Sequence, residues 1–466
     1  MIAVGEDNGI YISTFERFEK EARAGSWFAP TRRAAIARFA EMGFPTTREE
    51  AWRYTNISPL ARTPFRLPVR DEARGADGAN DALGEARFEP QPAHHRFGEW
   101  AAIELVFVNG RYSERLSRVS DLPEGATICG LSRAFDSARG TLERHLARYA
   151  DHASHAFTAL NTAFLEDGAF VHVPKGAVVR GPIHLLFIST SPGSEPQPSV
   201  THPRVLIVVE EGGQATVVES YVGRKGDVYF TNAVTEIVAG NGSVIDHYKL
   251  QRESVASYHV ATIQARLGRN SNLSSFSVSL GALLARHDIN VLLDDEGADC
   301  TLNGLYVVSG RQHVDHHTVV DHARPHGTSR ELYKGVLDGQ ARGVFDGTVI
   351  VRKDAQKTDS RQENRNLILS EEALVDTKPT LLINADDVKC SHAATIGQID
   401  EQSMFYLRSR GIDAAAARRI MMHAFVGDIL RRIKIEVLKQ GLDGLLFPVP
   451  ESEHDPSAGL APGGAA

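Results

Sequence analysis

Cysteine is scarce in this chain: three residues in 466, Cys129, Cys300 and Cys390, with no Cys-x-x-Cys pair among them. That count excludes a disulfide framework and points to a reducing compartment. Long apolar runs are missing too. No stretch approaches the ~18 residues of a membrane span, and the opening "MIAVGEDNGIYISTF" lacks the basic start and apolar run of a signal peptide. A soluble, cytoplasmic protein with no membrane partner is expected. The formal charge of −8 argues against a nucleic-acid surface. Common catalytic signatures are also absent. Without a Walker A pattern, the chain should bind and hydrolyse no nucleotide itself. There is no Gly-x-Ser-x-Gly elbow and no His-Glu-x-x-His motif. "GNGSVI" starts like a dinucleotide fingerprint but lacks the third glycine and a helical pattern after it.

What is present is an ordinary globular composition, 42% apolar and 24% charged, on a chain long enough for two or three domains. Residues 1–100 read as helices followed by a linker. In "FAPTRRAAIARFAEMGF", Pro30 suits a first helical turn and Gly43 a helix stop. "TTREEAW" offers Thr47 and Glu50 as a capping box. From about 61 the chain becomes rich in Ala, Gly, Pro and charge. Residues 101–388 are dominated by short β-branched runs such as "RVLIVVEEGG", "DINVLLDDEG" and "GVFDGTVIV". Turn-then-strand units recur near Lys175–Gly176, Gly212–Gly213, Asn241–Gly242, Asn270, Gly297 and Gly339, with few helical patterns between them. This excludes a doubly wound α/β fold and leaves a sandwich or a β-helix, the repetition favouring the latter. Residues 389–449 read as a helical domain with N-caps at Asp400 and Asp413. One long helix with an apolar stripe of Met422, Phe425, Ile429, Ile433 and Val437 is expected to run to Gly441. Residues 450–466 read as a disordered tail.

Two constellations carry ligand chemistry. In "DDVKCSHAATIGQID", Cys390 and His392 are two apart. If the strand from "TLLINADD" continues into them, both project from one face with Ser391 on the other. Thiolate and imidazole suit iron–sulfur clusters and zinc, yet two donors hold neither alone, and a buried neutral cysteine is the plain alternative. In "RQHVDHHTVVDHARPHG", His316, His317 and His322 stand among His313, His326, Asp315 and Asp321 as a possible secondary metal site. Strand alternation splits this group: His316 and His322 fall on one face, Asp315, His317 and Asp321 on the other. A β-helix also raises the prospect of a carbohydrate-active enzyme. Asp294, Asp295, Asp338 and Asp346 are candidates for that by residue type, and turn positions explain them more simply.

Longer stretches resemble a known family. "LLINADDVKCSHAATIGQIDEQSMFYLRSRGI", "LYKGVLDGQARGVFDG", "DAQKTDSRQENRNLILSEEALVDTKP", "VDHHTVVDH" and the N-terminal "REEAWRYTNISPL" are similar to the SufB/SufD family of the SUF iron–sulfur cluster assembly machinery. They resemble its SufD branch more closely. SufB sequences usually carry acidic residues where Ser391 and Ala393 stand here, a cysteine where Leu407 stands, and more cysteines overall. Ala393 departs from the glycine that SufD sequences more often have.

The resemblance implies a right-handed parallel β-helix flanked by helical domains and a non-catalytic scaffold role. It implies a complex with SufB and two copies of the ATPase SufC, or a homodimer when the chain is alone. SufC would dock on the C-terminal helices, giving the apolar stripe its use. Iron, or a transient cluster shared with SufB, would be handled at the junction of the two β-helices, with His392 and Cys390 as this chain's contribution.

Overall fold

The computed structural model describes residues 9–21, 26–68, 97, 100–190 and 198–448. Most of the expected linker and all of the expected tail lie outside them. The chain divides into two compact units, Met1–Ile399 and Asp400–Ala466.

The first unit is mainly β, a solenoid of about seven turns over residues 183–398 with helices toward the terminus. Successive strands alternate between two sheets, and within each sheet the neighbours from Gln214–Gly223 onward are parallel and in register. One register column reads His247, Ser275, Leu302, Glu331, Gln362 and His392, so a coil takes 27 to 31 residues. A solenoid arises because each short β-branched run is followed by a tight turn. Gly212, Gly242, Asn270 and Gly297 occupy one turn position, with φ of 67°, 63°, 52° and 72°. Each donates its N–H to a carbonyl of the next coil at 2.8–3.1 Å. Glycine and asparagine tolerate that left-handed backbone at the least steric cost.

The interior is filled by inward positions of both sheets, among them Ile207, Ile237, Ile263, Ile289, Leu273 and Cys300. At one end the sheets stop on antiparallel additions, Arg111–Arg118 against Ile103–Val108 and the short Thr127–Gly130 against Gly168–Val173. The buried Arg204–Glu236 pair, at 2.7 Å, fastens the following loop there, since Glu236 also accepts the N–H groups of Ala147, Tyr149 and Ala150. The N-terminal helices pack through Tyr11, Phe15, Phe39 and Phe164. A segment after them clasps one sheet. Buried Arg286 lies 3.8 Å from the Trp52 ring centroid and donates to the Ala51 carbonyl at 2.7 Å and to Asp315 at 2.8 Å.

Three expectations need correction. The capping box forms one residue early: Thr46 N–H donates to Glu49, and the Thr46 hydroxyl accepts from Arg48 N–H. It tightens a loop before a single 3₁₀ turn, Glu50–Trp52, because Trp52 is drawn onto Arg286. The solenoid does not end at 388. A last strand, Lys389–Gln398, completes it, and the boundary between units falls at 399.

In the second unit, Asp400 and Asp413 cap their helices as expected, by accepting from Ser403 N–H and from Ala415 and Ala416 N–H. Gly411, at φ 84°, separates them. The long helix, however, is two: Ala414–Leu430 and Glu436–Leu446, the second running through Gly441. The break falls on Ile433-Lys434-Ile435, whose β-branched residues favour extended backbone. Turning there buries Ile429, Leu430, Ile433, Leu438 and Leu442 within the unit, and His423 bonds across to Asp443 at 2.9 Å.

Candidate functional site at the last coil

The strand Leu374–Ile383 does not continue into Cys390. The chain turns at residues 384–388, leaves one sheet and enters the other as Lys389–Gln398. Cys390 and His392 still share one face, because alternation depends only on local strand geometry. Cys390 and His392 pair in register with Ser360 and Gln362, both fully buried, while Ser391 pairs with exposed Arg361. Cys390 and His392 therefore sit at inward positions of the final coil. Among the described residues no further strand pairs above them. Positions buried in every coil below are consequently open here: His392 is exposed and Cys390 half-buried. Leu374, Leu382, Ile383 and Ile396 are 41–50% exposed on the same two final strands.

Cys390 packs in part against the cluster of Val349, Val351 and Ala355, and that burial pushes its thiol above the ordinary value. The buried-cysteine alternative thus describes half of this side chain. Below it, the coils are polar. His322 Nε2 lies 2.9 Å from the Ser329 hydroxyl, which donates to Ser360 at 2.8 Å. Gln362 Nε2 donates to Glu331 at 2.7 Å. Burial lifts the Glu331 carboxyl to about 7.

The histidine-rich segment does not gather. His316 points inward and stacks on His287 at 5.0 Å, its Nε2 3.2 Å from Ser279, and burial lowers it to about 3. His317 points the other way, 3.1 Å from Asp315 in the Arg286 clasp. His313 bonds to Thr55 at 2.9 Å, and His326 is a turn residue at φ 61°. No group of three or more His, Cys, Asp or Glu that would hold a metal ion occurs among the described residues. The four aspartates considered for glycoside chemistry are occupied separately: Asp294 by Arg266, Asp295 by Arg269, Asp346 by Lys378, and Asp338 by the Gly339 N–H of its turn.

Sequence reasoning missed a buried polar network deeper in the solenoid. Tyr221 donates to Glu219 at 2.6 Å and His247 meets the same carboxylate at 2.9 Å. Lys249 Nζ is 2.9 Å from His259, which lies 2.7 Å from Glu253. Burial lowers Lys249 to about 8 although both glutamates oppose it. The available signal was polar residues two apart in "VVESYVG" and "DHYKLQR", on the face the strand pattern turns inward.

Comparison with known proteins identifies the family. The family described as "SUF system FeS cluster assembly, SufBD core domain" matches residues 188–425, and "SufBD protein N-terminal region" matches 7–81 and 98–185. The chain is 35% identical over 416 residues to an iron–sulfur cluster assembly SufBD family protein of Synechocystis, covering 88% of each chain. It is 30% identical over 423 residues to the iron–sulfur cluster assembly protein SufD of Escherichia coli, covering 91% of this chain and 92% of that one. With the two regions together spanning most of residues 7–425, the chain belongs to the SufBD family of SUF-system iron–sulfur cluster assembly proteins.

Proposed function

We propose that this chain is the SufD-type scaffold subunit of a SUF assembly complex: not an enzyme, but a partner that supports iron acquisition and cluster assembly where its solenoid meets that of SufB. The observation that carries the reading is the final coil, which ends in bare, partly apolar strands with Cys390 and His392 at inward positions. Unpaired strand edges with exposed apolar side chains invite strand addition from another chain. Thiolate and imidazole are ligands for iron and iron–sulfur clusters, and two donors leave the remaining coordination positions to a partner. Iron and the nascent cluster are cargo in this scheme, and sulfur reaches them through SufB. When SufB is absent, the same edges suit a second copy of this chain.

Docking of the SufC ATPase is assigned to the second unit. Its exposed apolar side chains, Phe405 at 75%, Tyr406 at 57% and Ile420 at 46%, support that role. Within the expected stripe, Ile429 and Ile433 are buried, Met422 and Phe425 half-buried and Val437 exposed. The docking surface is therefore drawn around Val437 and the exposed aromatic pair instead of the whole stripe. ATP binding by SufC would rearrange the junction and give iron access to Cys390 and His392.

The test is cluster reconstitution on the co-purified complex with wild-type and His392→Ala chains, read by visible absorption and iron content. Loss of cluster with the complex intact is expected. An unchanged cluster would reduce the chain to a structural partner that stabilises SufB and positions SufC.

A further inference from the structure

The last coil rests on two hydrogen-bonded files whose polarity the contacts determine. Beneath Cys390 the order is His322, Ser329, Ser360. The Ser329 hydroxyl has one proton and gives it to Ser360, so it must accept from His322, which places the imidazole proton on Nε2. His322 Nδ1 is then a buried, unpartnered acceptor, which costs less than the orphaned N–H that the reverse order would leave. Every proton in the file points toward the open end, and the Ser360 hydroxyl proton is left for the next position in register, Cys390.

Beneath His392 the logic is complementary. Gln362 gives one of its two amide N–H bonds to Glu331, which turns the amide oxygen away from that carboxylate. Gln362 is fully buried and its Oε1 has no partner. The next side chain in that register column is His392, one strand spacing of about 4.8 Å away. One file thus ends in a donor under the sulfur, the other in an acceptor under the imidazole.

We propose that Ser360 and Gln362 are positioning residues for the half-site: the Ser360 hydroxyl donates to the Cys390 sulfur, and the Gln362 amide oxygen accepts a ring N–H of His392, presenting the other ring nitrogen and the sulfur to the metal. This rests on Cys390 and His392 being ligands. An acceptor on the far nitrogen settles both tautomer and ring orientation, and loss of such a contact typically weakens metal binding by about 10- to 100-fold.

The experiment uses the co-purified complex with cobalt(II) as a spectroscopic stand-in for ferrous iron, and Cys390→Ala and His392→Ala complexes as blanks. Ser360→Ala should move the thiolate-to-cobalt charge-transfer band to lower energy, since the sulfur loses a donor. Ser329→Ala, one coil deeper, should move it less and in the same direction, and Ser360→Thr should leave it in place. Gln362→Met, close in volume, should weaken cobalt binding by about tenfold with the band position unchanged. Co-purification checks folding, and Ser329→Ala with Ser360→Thr carries the test should Ser360→Ala fail to assemble. A band unmoved by the serine variants removes Ser360 from the proposal, and unchanged affinity in Gln362→Met removes Gln362; either result leaves the ligand reading standing. Cobalt binding in the wild type that is indifferent to both Cys390 and His392 overturns the ligand reading itself.

Discussion

The two ends of the solenoid finish their sheets in opposite ways. At the first end one sheet closes on Arg111–Arg118, an antiparallel strand whose exposed and half-exposed positions include Arg111, Glu114, Arg115 and Arg118. The other closes on Thr127–Gly130, only four residues long. Charge and brevity are how soluble proteins blunt an edge. At the last end both final strands are ten residues long and carry exposed Leu374, Leu382, Ile383 and Ile396. Pro379 is the one backbone position there that cannot donate, and proline is tolerated on an edge strand. One end stops both sheets, and at the other both edges are bare among the described residues.

The largest test of that contrast sets a closed coil against the open one. His316 and His392 are both inward-facing histidines, but His316 is sealed and stays neutral down to about pH 3. Its folded value lies below the unfolded one, so as pH falls below about 6.5 the unfolded state takes up the proton first and stability drops. Each pH unit costs about 1.4 kcal/mol until the folded value is reached. His316→Phe should flatten that slope by about this amount per unit, measured by chemical denaturation between pH 6.5 and 4. Equal slopes in wild type and His316→Phe would mean that the interior is wet and the coils are not closed.

Next in size is the edge itself. Ile396→Lys places a charge on the last strand, where the proposed association would bury it, and should weaken the proposed pairing with SufB or with a second copy by about 2–4 kcal/mol. The corresponding change at the first end, Arg115→Ile, should leave that association intact and promote new self-association instead. Light scattering on each purified chain, and co-purification with SufB, separate the two. Association indifferent to Ile396→Lys would place the interface away from the open end.

How much of this was legible in the sequence depended on how local the physics was. The caps at Asp400 and Asp413 and the turns at Gly212, Gly242, Asn270 and Gly297 were readable, because short-range backbone geometry selects those residues. His326 and Lys357 hold the same left-handed turn, at φ 61° and 62°, and were not, since neither residue type signals it. The shared face of Cys390 and His392 followed from strand period alone, even though they belong to a different strand from the one expected. That both lie on an open coil did not follow, because the number of coils is set by long-range stacking. The network of Glu219, Lys249, Glu253 and His259 was missed for a related reason. A charged residue in a strand reads as solvent-facing until its partners from neighbouring coils are known, as with His247 for Glu219, 28 residues away, and His259 for Lys249, 10 away.

The smallest expected effect is the most discriminating. His392 is exposed and has no coil above it among the described residues, so His392→Ala should change the stability of the isolated chain by less than about 0.5 kcal/mol, the usual range for surface positions. The equivalent deletion one coil lower removes a buried group, and Gln362→Ala should cost about 1–3 kcal/mol by leaving Glu331 without its donor. Denaturant midpoints of the two variants measured side by side give the comparison directly. A His392→Ala chain as destabilised as Gln362→Ala would mean that the imidazole is part of the core, and the last coil would then be a cap. A near-silent substitution that nevertheless empties the assembled complex of iron ties the side chain to cargo and not to folding.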